Sequence, residues 1–216
     1  MTDATGHDLN YKGDRGNMKV FLESERLILR QFTDEDADNL FALDNDPEVM
    51  RFINGGNPVD RVFIQEKFLP RIRSYYSKYE NYGIWAAIEK SSQDFMGWFH
   101  LYPAVENAFA VEINLVKDDE IALGYRLKKD KWGKGYATEG SRLLVEKGFS
   151  QWGVQKVVAW ALTENKASIR VMEKAGLKYE KKFMFKESQL PNLNPLELKA
   201  VMYSLDKSIY ESRWLC

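Results

Sequence analysis

Trp132-Gly133-Lys134-Gly135-Tyr136-Ala137-Thr138-Glu139 is the stretch on which the fold turns. Glycines at 133 and 135 let the backbone bend sharply and approach a ligand closely. The residues that follow open a helix, whose first amides have no internal partner. A glycine bend running into a helix N-terminus makes a cradle for phosphate oxygens, helped by the helix dipole. The same pattern also suits an ordinary strand-to-helix turn. A Walker loop requires G-x-x-x-x-G-K-[ST], a spacing absent around Gly135. A dinucleotide fingerprint requires glycine where Thr138 stands.

The elements on either side place this bend in a sheet. Upstream, Ile121 to Leu127 has the composition of a strand and ends at the basic turn Lys128-Lys129-Asp130-Lys131. Downstream, a helix is predicted from Tyr136 to Gln151, with Gly140 and Gly148 implying close packing on it. Val157 to Leu162 is a continuous, largely apolar run, as in a strand buried on both faces. A helix from Lys166 to Ala175 is closed by Gly176. Strands near Lys178 to Phe185 and Val201 to Leu205 complete the C-terminal half. In the N-terminal half, Arg26 to Arg30 reads as a strand, and Thr33 with Asp36 as a capping-box-like pair before a helix. A second helical turn starts at Asp46-Pro47, and a longer helix runs from about Asp60 to Tyr79, with Pro70 set to kink or split it. Gly83 to Glu89 and Phe95 to Leu101 read as a hairpin. Phe109 to Val116 reads as another strand or an insertion. This order predicts an α/β (α+β) fold whose mixed sheet holds one parallel pair.

Composition narrows the function. The chain has 216 residues, 44% hydrophobic and 29% charged, with a formal net charge of -1. That balance describes a globular domain with no global field for nucleic acid or an anionic membrane. Residues 1–18 are polar and glycine-containing and read as a flexible leader to a single domain over 19–216. They lack the apolar run of a signal peptide, and no segment is long enough to span a membrane. One cysteine, Cys216, precludes an internal disulfide, which suits a reducing cytoplasm. Two histidines, His7 and His100, and that one cysteine are too few for a Cys/His zinc site, so no metal is expected.

The bend resembles the pyrophosphate loop of the GNAT acetyltransferases, usually written Q/R-x-x-G-x-G/A. Trp132 stands at the Q/R position, Gly135 is the central glycine and Ala137 closes the motif. Tryptophan there is similar to the Rim-type branch, which includes ribosomal-protein N-terminal acetyltransferases. Glu25 to Arg30, Asp46 to Phe52, Ile121 to Leu127, and Asn165 to Ser168 followed by Glu173 to Leu177 resemble further segments of that branch. The resemblance extends over residues 23–205. It implies a GNAT fold with a splayed parallel strand pair flanked by helices, acetyl-CoA as donor, and direct attack by an amine in a ternary complex. By the same resemblance, backbone groups of Tyr125, Arg126 and Leu127 pair with pantetheine. Trp132, Gly133, Lys134, Gly135, Tyr136, Ala137 and Thr138 form the diphosphate site. Asn165 helps position the pantetheine arm, and Ser168 is the candidate proton donor to the departing thiolate. Both also have local explanations, Asn165 as a helix N-cap and Ser168 as a first-turn serine. Lys128, Lys131 and Lys134 are candidates for added charge near the phosphates, and Glu139 favours a structural role. Tyr203 falls either in the acceptor pocket or in the core.

The family's usual acidic base position is Ala122 here. Glu112 is the candidate replacement, with a solvent-facing residue as the alternative. The expected acceptor is a primary amine, either a protein N-terminus or a small amine. Alternatives are an aminoglycoside or polyamine, or an acetyl-CoA-binding sensor without transfer. A homodimer is compatible with the resemblance. No nucleic acid or membrane partner is expected.

Overall fold

Sequence patterning and turn chemistry divide the chain into strands and helices around one sheet. The computed structural model describes residues 19–212. The leader predicted for residues 1–18, and Cys216, lie outside the described residues. The strands are β1 (Val20–Glu23), β2 (Leu27–Arg30), β3 (Gly83–Glu89), β4 (Phe95–Pro103), β5 (Glu120–Leu127), β6 (Lys156–Leu162), β7 (Lys178–Met184) and β8 (Lys199–Asp206). They form one sheet in the order β1-β2-β3-β4-β5-β6-β8-β7. Every neighbouring pair is antiparallel except β5 with β6. This is the GNAT arrangement that the sequence predicts.

Helices cover both faces. On one side lie α1 (Ala37–Asp44), α2 (Pro47–Asn54), α3 (Arg61–Phe63), α4 (Leu69–Lys78) and α5 (Ala108–Glu112). Their buried residues Leu40, Val49, Ile72 and Ala110 pack with Ile84, Trp98 and Tyr102 of the sheet. On the other side lie α6 (Tyr136–Gln151), α7 (Lys166–Lys174) and α8 (Lys207–Ser212). Here Leu144, Phe149 and Met172 pack with Trp85, Phe99 and Val157. The boundaries of α6 coincide with those read from the sequence.

Three local features differ from the sequence prediction or sharpen it. Residues 109–112 are helical, not a strand. Phe109, Val111, Ile113 and Leu115 alternate like a strand, yet Phe109 and Ile113 also fall four apart on one helical face. Tertiary packing selects the second period, and Asn114, at φ 51°, closes the turn. Pro70 does not break its helix. Instead Ile64–Phe68 is π-helical, linking α3 to α4, an arrangement that absorbs a missing amide donor. Finally, β1 and α8 extend the fold beyond the elements read from the sequence.

Gly140 is the contact point between α6 and the sheet. A Cβ there would stand 2.4 Å from Cζ of Phe99, a fully buried ring. Gly140→Ala is expected to destabilise the fold by about 1–3 kcal/mol, the usual range for an overpacked core. Urea unfolding reads this as a lower midpoint with an unchanged slope.

Candidate active site

β5 and β6 begin side by side and then part. Their parallel register runs Glu120 to Lys156, Ile121 to Val157 and Ala122 to Val158, and stops there. Each strand continues, β5 against β4 and β6 against β8, up to Leu127 and Leu162 respectively. From Leu123 to Leu127 the β6-facing edge of β5 therefore has no strand partner. Tyr125, Arg126 and Leu127 all lie in this free stretch.

The bend after β5 completes the site. Gly133 and Gly135 both adopt left-handed conformations, at φ 72° and 85°. Gly135 is the N-cap of α6 and offers no side chain to the first turn. Among the described contacts, no protein group accepts from the amides of residues 133 to 138. Nothing lies within 4 Å of a Cβ built on Gly133. The bend thus presents unpaired donors with open space before it. Both features fit the diphosphate of coenzyme A.

Neighbouring side chains hold the bend rigid. Glu139 accepts from Ser24 Oγ at 2.7 Å, from the Arg26 amide at 2.9 Å and from Arg26 Nε at 2.7 Å. Burial opposes ionisation of this carboxyl, but those donors hold its pKa below the ordinary value. Glu139 is structural, as the sequence favours. Arg26 also donates to the Lys134 carbonyl at 3.0 Å and stacks 4.4 Å above the Tyr136 ring. The sequence showed Arg26 only as a strand residue. Its buttressing role depends on a contact 113 positions away in the chain.

Trp132 is half-exposed, and its indole N–H donates to the Leu127 carbonyl at 2.8 Å. It so caps the end of β5. Lys131 is buried and spends its charge on Glu89 at 2.7 Å, so it is not a free phosphate ligand. Lys128 lies 5.4 Å from the Phe95 ring centre. Tyr136 donates its hydroxyl to Glu89.

Across the gap, Asn165 caps α7, accepting from the Ser168 amide at 3.1 Å. The Tyr125 hydroxyl reaches over from β5 to Ser168, 3.0 Å from Oγ and 3.2 Å from the carbonyl oxygen. Burial pushes the Tyr125 hydroxyl up to about 12, with Ser168 opposing part of that rise. It therefore stays protonated near neutrality. The sequence placed only the Tyr125 backbone in the site, and the alternation of β5 could have revealed this side chain. Tyr203 is buried, with its hydroxyl donating to Glu173 at 3.0 Å. Glu112 ends α5 in an exposed position, bound to Lys186 at 2.6 Å and Gln189 at 2.7 Å. These two partners hold its pKa below the usual carboxylate value. Among the described residues, no group of three or more His, Cys, Asp or Glu is placed to hold a metal. No helix among them is long and apolar enough to cross a membrane.

Residues 26–178 match the acetyltransferase (GNAT) domain family. This chain belongs to the GNAT acetyltransferase family. YkkB of Bacillus subtilis is 33% identical over 171 residues, covering 76% of this chain and 89% of that protein. FsC-acetyl coenzyme A-N(2)-transacetylase of Aspergillus fumigatus is 28% identical over 207 residues, covering 89% of this chain and 83% of it. Among solved structures, the aminoglycoside acetyltransferase AAC(6')-Ib in complex with coenzyme A superposes with a TM-score of 0.67 at 20% identity, covering 86% of this chain and 98% of that chain. A GNAT-family acetyltransferase from Bacillus anthracis gives a TM-score of 0.65 at 20% identity, covering 87% and 99%. As a GNAT enzyme the chain is an acetyltransferase that takes acetyl-CoA as its donor.

Glu89 ties the turn before the GNAT cradle to the start of α6. Hydrogen bonds from Lys131, Tyr136 and Ser92 pull its carboxyl down to about 2. A depressed carboxylate stabilises the fold above its unfolded pKa, near 4.5, and loses that contribution as pH falls through the folded value. The difference in melting temperature between the native chain and Glu89→Gln is thus expected to be constant above about pH 5. It should shrink steadily towards pH 2. A difference that grows on acidification would show that Glu89 does not hold this turn as a carboxylate.

Proposed function

We propose that the enzyme acetylates a primary amine, either a protein N-terminus or a small amine, by direct attack in a ternary complex. We place it in the Rim-type branch of the GNAT family on the strength of Trp132 and of Asn165 with Ser168. The observation that carries this reading is the continuity of two unsatisfied surfaces. The unpaired amides of residues 133 to 138 lead directly onto the free edge of β5. A ligand holding a diphosphate at one and an extended amide chain along the other would satisfy both.

In this mechanism the amides of Gly133 to Thr138 bind the diphosphate, with Trp132 and Lys134 framing it. Backbone groups of Tyr125, Arg126 and Leu127 add the pantetheine arm as a short strand, as in other strand-addition complexes. Asn165 fixes the first turn of α7 against the arm. A free amide of β5 polarises the thioester carbonyl as charge develops on its oxygen. Ser168 supplies the proton to the leaving thiolate, and Tyr125, 3.0 Å away, replenishes it.

The amine must attack in its neutral form. An α-amine has a pKa of roughly 7.7–8.0, so a useful fraction is neutral at physiological pH. That lowers the demand on a base. Glu112 is the carboxylate proposed for the role, and it serves only after releasing Lys186 and Gln189.

Two substitutions test the donor site and the proton step separately. Gly135→Asp sets a carboxylate against the diphosphate, and calorimetry should find coenzyme A binding lost; unchanged affinity would remove the cradle from the site. Ser168→Ala should lower kcat by roughly tenfold or more with little change in coenzyme A affinity. Full activity in that variant would return Ser168 to a purely local role. Mass spectrometry of products from a mixed pool of amines and peptides identifies the acceptor.

A further inference from the structure

The donor elements, the cradle and α7, all lie on one face of the β5–β6 gap. An amine must reach the thioester from the other face, where α1 to α5 pack. On that face β5 presents Gly124 and Arg126 opposite His100 and Trp98 of β4. His100 lies directly over Gly124, where a Cβ would come within 2.4 Å of the ring. Glycine at 124 is therefore what lets an imidazole cover the strand beside the gap.

This wall is short of hydrogen-bond partners. Trp98 Nε1, His100 Nε2 and Arg126 Nε are all buried without a partner among the described residues. They belong to one contiguous stack. The Arg126 guanidinium lies 5.0 Å from the Trp98 ring centre, Trp98 and His100 are 5.7 Å apart, and His100 and Tyr102 4.2 Å. Buried polar atoms in native proteins are paired with few exceptions, so a cluster of orphans calls for an explanation. An indole N–H and a guanidinium Nε–H can only donate. What would satisfy them is an oxygen acceptor.

Two carboxylates beside this stack are already committed. Asp44 binds Arg126 Nη1 at 2.6 Å, and Glu106 binds Lys78 and the Tyr79 hydroxyl. A second arginine, Arg71, adds its charge near Tyr75 and Tyr102. A polycation would find both of these carboxylates already paired.

We propose that this wall is the acceptor pocket and that it selects an amine carrying a carboxylate or amide carbonyl oxygen, held by Trp98 and Arg126, against polycationic amines. The inference rests on the acetyl transfer proposed above and narrows its substrate class. The group selected is the one that every peptide N-terminus and amino acid carries next to its amine.

The same setting prepares the nucleophile. Burial, then the charges of Arg126 and Arg71, push the His100 ring down to about 3, so it stays neutral. An amine bound beside it feels the same field and is biased towards its neutral, attacking form. The amine nitrogen forms the new bond to the acetyl carbon as the carbon–sulfur bond breaks. Its surplus proton passes to Glu112 or to solvent, and the thiolate takes its proton from the Ser168–Tyr125 pair. A wall of this kind would explain why an acidic residue is dispensable at Ala122.

The test compares tyrosine, tyrosinamide, tyramine, spermidine and kanamycin. Turnover is followed by thiol release, and binding to coenzyme A-saturated protein by calorimetry. Tyrosine or tyrosinamide should exceed tyramine roughly tenfold or more in kcat/KM or affinity, the value of a hydrogen bond to a charged donor. The comparison of the first two separates the charged from the neutral oxygen. Arg126→Lys keeps a cation for Asp44 but removes Nε, and Trp98→Phe removes the indole N–H with part of the ring while keeping an aromatic side chain. Both variants should bring that ratio towards one. A ratio near one in the native enzyme, a preference for spermidine or kanamycin, or ratios unmoved in both variants would overturn the proposal. Coenzyme A binding with no turnover of any amine would overturn the transfer reading instead, and calorimetric selectivity would still decide the pocket.

Discussion

The fold rests on a parallel strand pair that is allowed to fail. β5 and β6 keep register for three residue pairs and then diverge. The strands can part because each is held on its other side, β5 by β4 and β6 by β8. Two antiparallel sheets in effect meet along a short seam. Beyond the seam lies an edge of unpaired backbone, a state that native sheets normally avoid or cover. Its persistence in the middle of a sheet fits the proposal that another chain-like molecule completes it.

Everything around the seam keeps that edge open and aimed. Glu139 and Arg26 fasten the bend to β2, and Glu89 fastens it to β3. Gly140 lets α6 settle on Phe99, which fixes where the helix N-terminus points. Asn165 sets the first turn of α7, and Tyr125 spans the gap to meet it. The polar groups that bear on the donor thus sit on one face, while an aromatic and arginine wall occupies the other. In the proposed mechanism the sheet separates proton delivery to the leaving group from reception of the amine.

Much of this was legible in the sequence because it is local. The glycine bend, the strand before it and the helix after it depend on short-range turn and capping rules, and the structure reproduces them. Asn165 as a cap was legible for the same reason. Residues 109–116 stayed open between a strand and an insertion because their spacing satisfies strand and helix periods at once, and only packing of Phe109 and Ile113 decides. The face of the Tyr125 side chain was legible from the alternation of β5, but its partner was not, and neither were Arg26 or the wall of Trp98, His100 and Arg126 as a site. Each acquires its role through partners distant in the chain, Arg26 on α6 and the bend before it, Tyr125 on α7, and the wall across the register of β4 with β5.

The central claim is that the amides of residues 133 to 138 grip a diphosphate. Amide NMR spectra during titration with coenzyme A, and separately with pantetheine, test it directly. Coenzyme A should shift the resonances of residues 133 to 138 strongly, whereas pantetheine, which lacks the diphosphate, should move Tyr125 to Leu127 and leave the bend nearly unchanged. Saturable coenzyme A binding with the amides of the bend unmoved would contradict the account.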